Sequence, residues 1–219
     1  MTLETADARA RGLIFAVLLL TVLACTLPMG LSPSYNGEDP SFTNQYELLA
    51  ESMLEGHLYI DYEDIDPGLL EMENPYDYEA REARDISCHW DHAFYQGRYY
   101  MYFGVVPVFL IFLPYRIITG GALTTYHATQ IFAALYLCGV FALFYFLAKR
   151  FFEKISVGMY LMLSVALSLV SMWYSVSAPA LYCTAISGGI CMEVWSLFFF
   201  MKAVYGCGKS ENEWKSIGY

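Results

Sequence analysis

Long apolar runs bracket a single acidic stretch in this chain, and that alternation leaves few folds open to it. Residues 13–31, 105–118, 126–147, 155–173 and 183–205 carry almost no charge. By contrast, 16 of the 22 Asp and Glu side chains fall between Ser32 and Phe103, where only Arg81, Arg84 and Arg98 offset them. A helix needs roughly 20 apolar residues to cross a bilayer. Hydrophobic residues make up 57% of the 219 residues and charged ones 16%, a balance too apolar for a soluble domain of this length. The fold class this predicts is all-α: a polytopic membrane protein with four transmembrane helices, a surface-lying or re-entrant segment, and a large outer loop with short helices.

The net charge of −10 reports the acidic loop, and the absence of a basic stripe excludes nucleic acid as a partner. The six cysteines, Cys25, Cys88, Cys138, Cys183, Cys191 and Cys207, show neither a CxxC pair nor metal-finger spacing, so no disulfide framework is implied. Residues 13–31 follow Arg9 and Arg11. A cleaved signal peptide would have a shorter apolar core and a small-residue cleavage site, so this run reads as a retained first span.

Lys and Arg near span ends collect on the cytoplasmic side, which decides the number of spans. Were all five runs to cross, Lys149, Arg150, Lys154, Lys202, Lys209 and Lys215 would face outward. Residues 105–118 form the shortest run, interrupted by Pro107 and Pro114 and carrying Arg116, which suits a horizontal or re-entrant segment. Laying it on the outer surface places all six cations inside, with Arg9 and Arg11. The expected layout is a cytoplasmic N-terminus 1–12, span 13–31, outer acidic loop 32–104 with an amphipathic helix 40–55, horizontal segment 105–118, spans 126–147, 155–173 and 183–205, and a cytoplasmic tail 206–219. Both termini then lie on the cytoplasmic side of the plasma membrane.

The spans carry features for packing. Ser164, Ser168, Ser171 and Ser175 recur along one face of the third, a stripe that permits close helix approach. Glu193 sits near the middle of the fourth, where a charge costs roughly 2.5 to 3.5 kcal/mol on insertion scales. A protonated Glu bonded to a neighbouring helix is the favoured reading, ahead of a catalytic role.

Within the loop, Phe42, Tyr46, Leu49 and Met53 recur at helical spacing between Pro40 and Gly56. Asp39 is the natural N-cap of that helix, a role compatible with a catalytic one. Asp64 to Gly68 reads as a turn. From Trp90 to Pro107, aromatic side chains interleave with Asp91, Gln96 and Arg98. Such a run can stack on sugar rings while bonding their hydroxyls, but it also has the composition of an interfacial belt, and on composition alone the belt wins. Cys88, His89, Asp91 and His92 match no zinc signature. A divalent cation shared between Asp91 and Asp39, with His92 nearby, is the better metal candidate, because carboxylates suit hard ions.

Together these features resemble the GT-C superfamily of membrane glycosyltransferases, specifically the bacterial relatives of the protein mannosyltransferases and of the aminoarabinose transferases that modify lipid A. Glu38-Asp39 followed by Tyr46, Ala50 and Gly56 is similar to their Asp-Glu, Tyr, Ala, Gly run. Trp90-Asp91 through Tyr99-Tyr100, Phe103-Gly104 and Pro107 resembles their entry to a horizontal helix, and Ala148 to Phe152 resembles their cytoplasmic turn. The resemblance implies transfer of a sugar from a polyprenyl-phosphate donor in the membrane lipid to a glycan, lipid or protein acceptor at the outer face. It implies Asp39, assisted by Glu38, as the catalytic base, and Asp91, Arg98, Tyr99, Tyr100 and Arg116 as substrate-binding residues, with Arg98 or Arg116 meeting the lipid phosphate. The family pair is Asp then Glu, and the reversed order here leaves open which carboxylate acts. Family members also carry further spans, so these residues are expected to correspond to an N-terminal portion. The competing class is a non-enzymatic membrane subunit or exporter fragment whose acidic loop binds a partner or a cation.

Overall fold

The computed structural model describes residues 2, 3, 5–31, 44–152, 154–177, 179 and 181–206. It is mostly helical, and among the described residues four helices are long and apolar enough to cross a membrane. These are Ala8–Leu31, Thr125–Phe151, Val157–Ser177 and Leu181–Tyr205, of 24, 27, 21 and 25 residues. The chain is therefore an integral, multi-pass membrane protein, as its apolar runs predict. In chain order the elements are α1 (Ala8–Thr26) with a 3-10 turn Leu27–Leu31, α2 (Gln45–Leu54), α3 (Pro67–Glu71), α4 (Tyr78–Ala83), β1 (His92–Tyr95), β2 (Arg98–Met101), a π-helical turn Val108–Phe112 running into α5 (Leu113–Thr119), α6 (Thr125–Phe151), α7 (Val157–Ser177) and α8 (Leu181–Tyr205). They divide into two compact units, one holding residues 1–36 and 129–219, the other Gly37–Ala128.

In the first unit α1 is started by Asp7, whose carboxylate accepts from the Ala10 N–H at 2.8 Å. The serine stripe of α7 turns inward: Ser164, Ser168 and Ser175 are buried beside Tyr160 and Met172. Small polar side chains let helices approach and bond directly, each bond adding about 0.6 to 2 kcal/mol in a membrane. Ser175 meets Ser187 at 3.2 Å, Thr129 meets Thr184 at 2.7 Å, and Gln130 Nε2 donates to the Thr26 carbonyl at 2.9 Å. A close helix approach is at Gly139, where a Cβ would stand 2.5 Å from Val194 Cγ1. Trp195 Nε1 completes that contact by donating to the Leu135 carbonyl at 3.0 Å. Glu193 lies on the exposed side of α8, in a groove of about 180 Å³ with Tyr136, Leu143 and Leu197.

The second unit is built on α2, a hairpin and the apolar segment after it. Tyr46 and Leu49 of α2 are buried, as the helical spacing requires, and Gly56 follows the helix at φ 94. Residues 40–43 of the expected helix, with Glu38 and Asp39, lie outside the described residues. β1 and β2 pair antiparallel, Phe94 facing Tyr99 and Tyr95 facing Arg98. Their two-residue turn has Gln96 at φ 49 and Gly97 at φ 76, the left-handed pair that matches strand twist in tight hairpins. Ile60 adds a bridge to Tyr99, its N–H donating to the Tyr99 carbonyl at 2.8 Å. Leu69, Phe94 and Tyr99 form the core under this sheet.

The segment Val108–Thr119 has 12 residues, about 18 Å of helix against a hydrocarbon core of about 30 Å. Pro114 has no N–H to donate, and the turn before it widens, with the Leu113 N–H bonding back to the Val108 carbonyl. Val108 and Phe112 are buried, while Phe109, Leu110, Ile117 and Ile118 are exposed. An element too short to span, with one face packed and another apolar and open, has the form of the surface-lying or re-entrant segment.

Candidate functional site

The start of α2 is where the polar unit holds most unsatisfied chemistry. Tyr46 stacks on Phe112, ring centroids 5.2 Å apart, and Arg116 is ion-paired to Glu51. Glu47, one turn before Glu51, has its carboxyl raised by burial and then by the Glu51 charge, with Arg116 pulling the other way. Among the described residues, the buried Asn44 Oδ1, Gln45 Oε1 and Tyr46 hydroxyl have no hydrogen-bond partner. Burial also pushes the Tyr46 phenol upward, so it stands as a neutral donor. Arg116, implied as a phosphate ligand, is thus already matched by a carboxylate. Glu47 was missed in sequence because the burial that raises its carboxyl comes from tertiary packing, which no local pattern announces.

The aromatic run folds into the hairpin and sorts its side chains. Tyr99 is 2% exposed, its ring enclosed by Tyr62, His89, His92 and Phe94, so its faces serve the core. Arg98 is exposed, its guanidinium carbon 3.9 Å above the Tyr59 ring, and Tyr100 is half-buried with its edge toward Tyr59. Asp91 is exposed at φ 57, the left-handed region that Asp tolerates. The structure therefore brings Arg98 and Tyr100 to Tyr59.

His92 is held as a neutral ring. Its Nδ1–H donates to the Trp90 carbonyl at 2.6 Å, which leaves Nε2 to accept from the Tyr62 hydroxyl at 2.9 Å. Burial lowers its pKa, and burial also pushes the Tyr62 phenol up to about 12. Both ring nitrogens are engaged, so metal binding by His92 would break one of these bonds. The proposed sharing of a cation between Asp91 and Asp39 involves a residue outside the described ones.

Metal-ligand atoms do converge at Glu55, His57 and Asp61. His57 Nε2 lies 3.3 Å from Glu55 Oε2 and 3.3 Å from Asp61 Oδ2, while Nδ1 is 3.0 Å from the Tyr59 carbonyl. That carbonyl accepts the Nδ1–H, so Nε2 is the atom aimed at the carboxylates. Bonds of about 2.0 to 2.2 Å place tetrahedral ligands about 3.3 Å apart, and a backbone carbonyl on the other ring nitrogen is the usual support for a ligating His. An imidazolium bridging both carboxylates would satisfy the same geometry. Sequence reading passed over this group because its spacing follows no metal motif.

Beside the hairpin turn a groove of about 560 Å³ is lined by Asn74, Tyr76, Tyr95 and Gln96 over Leu69 and Phe94. Tyr76 is fixed there, its hydroxyl donating to the Phe94 carbonyl at 2.9 Å and accepting from the Phe94 N–H at 2.7 Å. Aromatic faces next to side-chain amides can stack on a sugar ring and bond its hydroxyls. The aromatic run singled out in the sequence includes Tyr95 and Gln96, whereas the resemblance implied Tyr99 and Tyr100, one strand further on.

Asp66 ties α3 to the strand entry, accepting from Gly68 N at 2.8 Å, Ser87 N at 2.8 Å and Ser87 Oγ at 3.2 Å. These donors hold its carboxyl below the usual range. Both His92 and Asp66 bind protons more weakly folded than unfolded, so each favours the fold at higher pH and loses that contribution as pH falls through its lowered value. Amide protection factors of β1 and β2, taken against the intrinsic rate at each pH, are therefore expected to fall first below about pH 6.5, from His92, and again below about pH 3.9, from Asp66. His92→Phe should remove the first step and Asp66→Asn should blunt the second; protection that stays flat between pH 7 and pH 5 would contradict the first assignment. Comparison with known protein families, curated proteins and solved structures finds no match for this chain.

Proposed function

We propose that this chain is part of a membrane glycosyltransferase that moves a sugar from a polyprenyl-phosphate donor to a glycan, lipid or protein acceptor at the outer face of the plasma membrane. The observation that carries the reading is the polar unit between the first and second long apolar helices. There α2, whose start holds three buried polar atoms with no hydrogen-bond partner among the described residues, is docked through Tyr46 and Glu51 on an apolar segment too short to span. An acceptor and a lipid-linked donor would meet where such a segment meets the membrane. Asp39, with Glu38, is the general base of this proposal, and Asp91, Arg98 and Tyr100 bind donor. Arg98 supplies the positive charge for the leaving phosphate, because Arg116 is matched by Glu51.

A short-chain polyprenyl-phosphate sugar titrated into the purified protein tests donor recognition. Arg98→Ala is expected to weaken binding about 10- to 100-fold, the loss for a bond to a charged group. Arg116→Ala should chiefly loosen α2 from α5. Unchanged donor affinity in Arg98→Ala and Asp91→Asn together would leave the aromatic run as an interfacial belt.

The topology proposed with this activity places both termini in the cytoplasm and the polar unit outside. Impermeant thiol reagents on intact cells should label a variant retaining only Cys88, which is half-buried in the polar unit, and should spare one retaining only Cys207. Labelling of Cys207 from outside would overturn the arrangement.

A second reading is a non-enzymatic subunit with a cation-binding loop, and the Glu55, His57 and Asp61 grouping favours it. Donor binding that is absent while Zn²⁺ binds and is lost in His57→Ala would select this reading.

A further inference from the structure

The end of the first unit that carries its basic residues contains a cavity with two chemistries. Its volume is about 730 Å³, within the range of small-molecule sites. Ile14, Leu18, Phe141, Ala142, Phe146 and Phe198 form apolar walls, and Arg11, Lys149, Arg150 and Lys202 line it as well. These four cations come from the first turn of α1 and the last turns of α6 and α8. Among the described residues no carboxylate lines it. The C-terminal dipoles of α6 and α8 contribute about half a negative charge each, less than the formal charge of the cations in this lining.

Two of the cations are oriented by the walls. Lys149 Nζ lies 5.6 Å from the centre of the Tyr145 ring and Lys202 Nζ 5.5 Å from that of Phe198, both rings being part of the lining. The same end is organised by the N-terminal residues: Leu3 N–H donates to the Ile155 carbonyl at 2.9 Å, and Thr2 bridges Ser156. A small anion would use the cations and leave the apolar walls wet. An apolar helix would cover the walls but offer no negative charge to Arg11, Lys149 and Arg150. An amphiphile with an anionic head satisfies both.

We propose that this cavity binds an anionic phospholipid, its phosphate held by Arg11, Lys149, Arg150 and Lys202 and the upper part of an acyl chain lying along Phe141, Ala142 and Phe198. Basic pockets between membrane helices recognise such headgroups by this combination of charge and apolar surface. The site is independent of the sugar-transfer reading and would stand if that reading failed.

The test is native mass spectrometry of the full chain in a neutral detergent, titrated separately with phosphatidylglycerol, phosphatidylcholine and inorganic phosphate. Phosphatidylglycerol should be retained over phosphatidylcholine, and each of Arg11→Gln, Lys149→Gln, Arg150→Gln and Lys202→Gln should reduce that preference by about fivefold. Ala142→Trp fills the cavity without changing charge and should also reduce phosphatidylglycerol retention. Helical circular dichroism and monodisperse elution identify which variants are folded and can be compared. Equal retention of the two lipids, or undiminished phosphatidylglycerol binding in Ala142→Trp, would overturn the proposal. So would displacement of phosphatidylglycerol by inorganic phosphate, which would make this a small-anion site, or a dimer that forms through the cavity in place of lipid binding.

Discussion

Replacing Asp39 by Asn is expected to leave the protein inserted and folded while reducing sugar transfer by about 10²- to 10⁴-fold, the contribution of a positioned general base. Two roles have to be separated at this position. Asp39 precedes Pro40 and is the N-cap that the sequence expects for a helix over 40–55, and loss of a cap costs about 0.5 to 2 kcal/mol. Asn caps as well as Asp does but cannot take the acceptor's proton. Asp39→Ala should therefore lose both stability and transfer, whereas Asp39→Asn loses transfer alone. Transfer by Asp39→Asn at near the original rate would confine Asp39 to capping and move the base to Glu38 or Glu47, the latter being the described carboxyl of this helix raised by burial. The assay uses the full-length protein, with a polyprenyl-phosphate sugar as donor.

What could be read from sequence follows from the range of the interactions involved. A span is defined by its own length and hydropathy, so the four long helices were legible without any knowledge of neighbours. The inward turn of Ser164, Ser168 and Ser175 was legible for the same reason, since helical periodicity is local. The ion pair of Glu51 with Arg116 joins residues 65 positions apart, and no local pattern announces it. It changes the chemical part assigned to Arg116, from a phosphate ligand to a charge already matched.

The hairpin was hidden for a different reason. A half-buried strand betrays itself by alternation of apolar and polar residues. In His92–Tyr95 and Arg98–Met101 both faces carry large rings: Phe94 and Tyr99 point into the core while Tyr95 is exposed and Tyr100 half-buried. The alternation is one of burial and not of polarity, so composition reads it as an interfacial belt. The turn signal was present, but as Gln96-Gly97, a weaker cue than Asn-Gly or Asp-Gly.

Tyr99 is the residue at which these readings diverge most in their consequences. As a substrate-stacking residue it would tolerate truncation with loss of binding and little loss of stability. As the structure has it, the ring is enclosed between Phe94 at 4.9 Å, His89 at 4.9 Å and Tyr62 at 5.7 Å, and the hydroxyl accepts from the His89 N–H at 3.2 Å. Tyr99→Ala is expected to destabilise the polar unit by about 3 to 5 kcal/mol, the cost of removing a buried aromatic side chain. Tyr99→Phe keeps the ring and loses one hydrogen bond, a cost of about 0.5 to 1.5 kcal/mol. Chemical denaturation followed by amide exchange of β1 and β2 measures both, and donor titration of Tyr99→Phe completes the comparison. Donor affinity unchanged in Tyr99→Phe, with β1 and β2 exposed in Tyr99→Ala, assigns Tyr99 to the core. A folded Tyr99→Ala variant with full hairpin protection and weakened donor binding would return the residue to the substrate site.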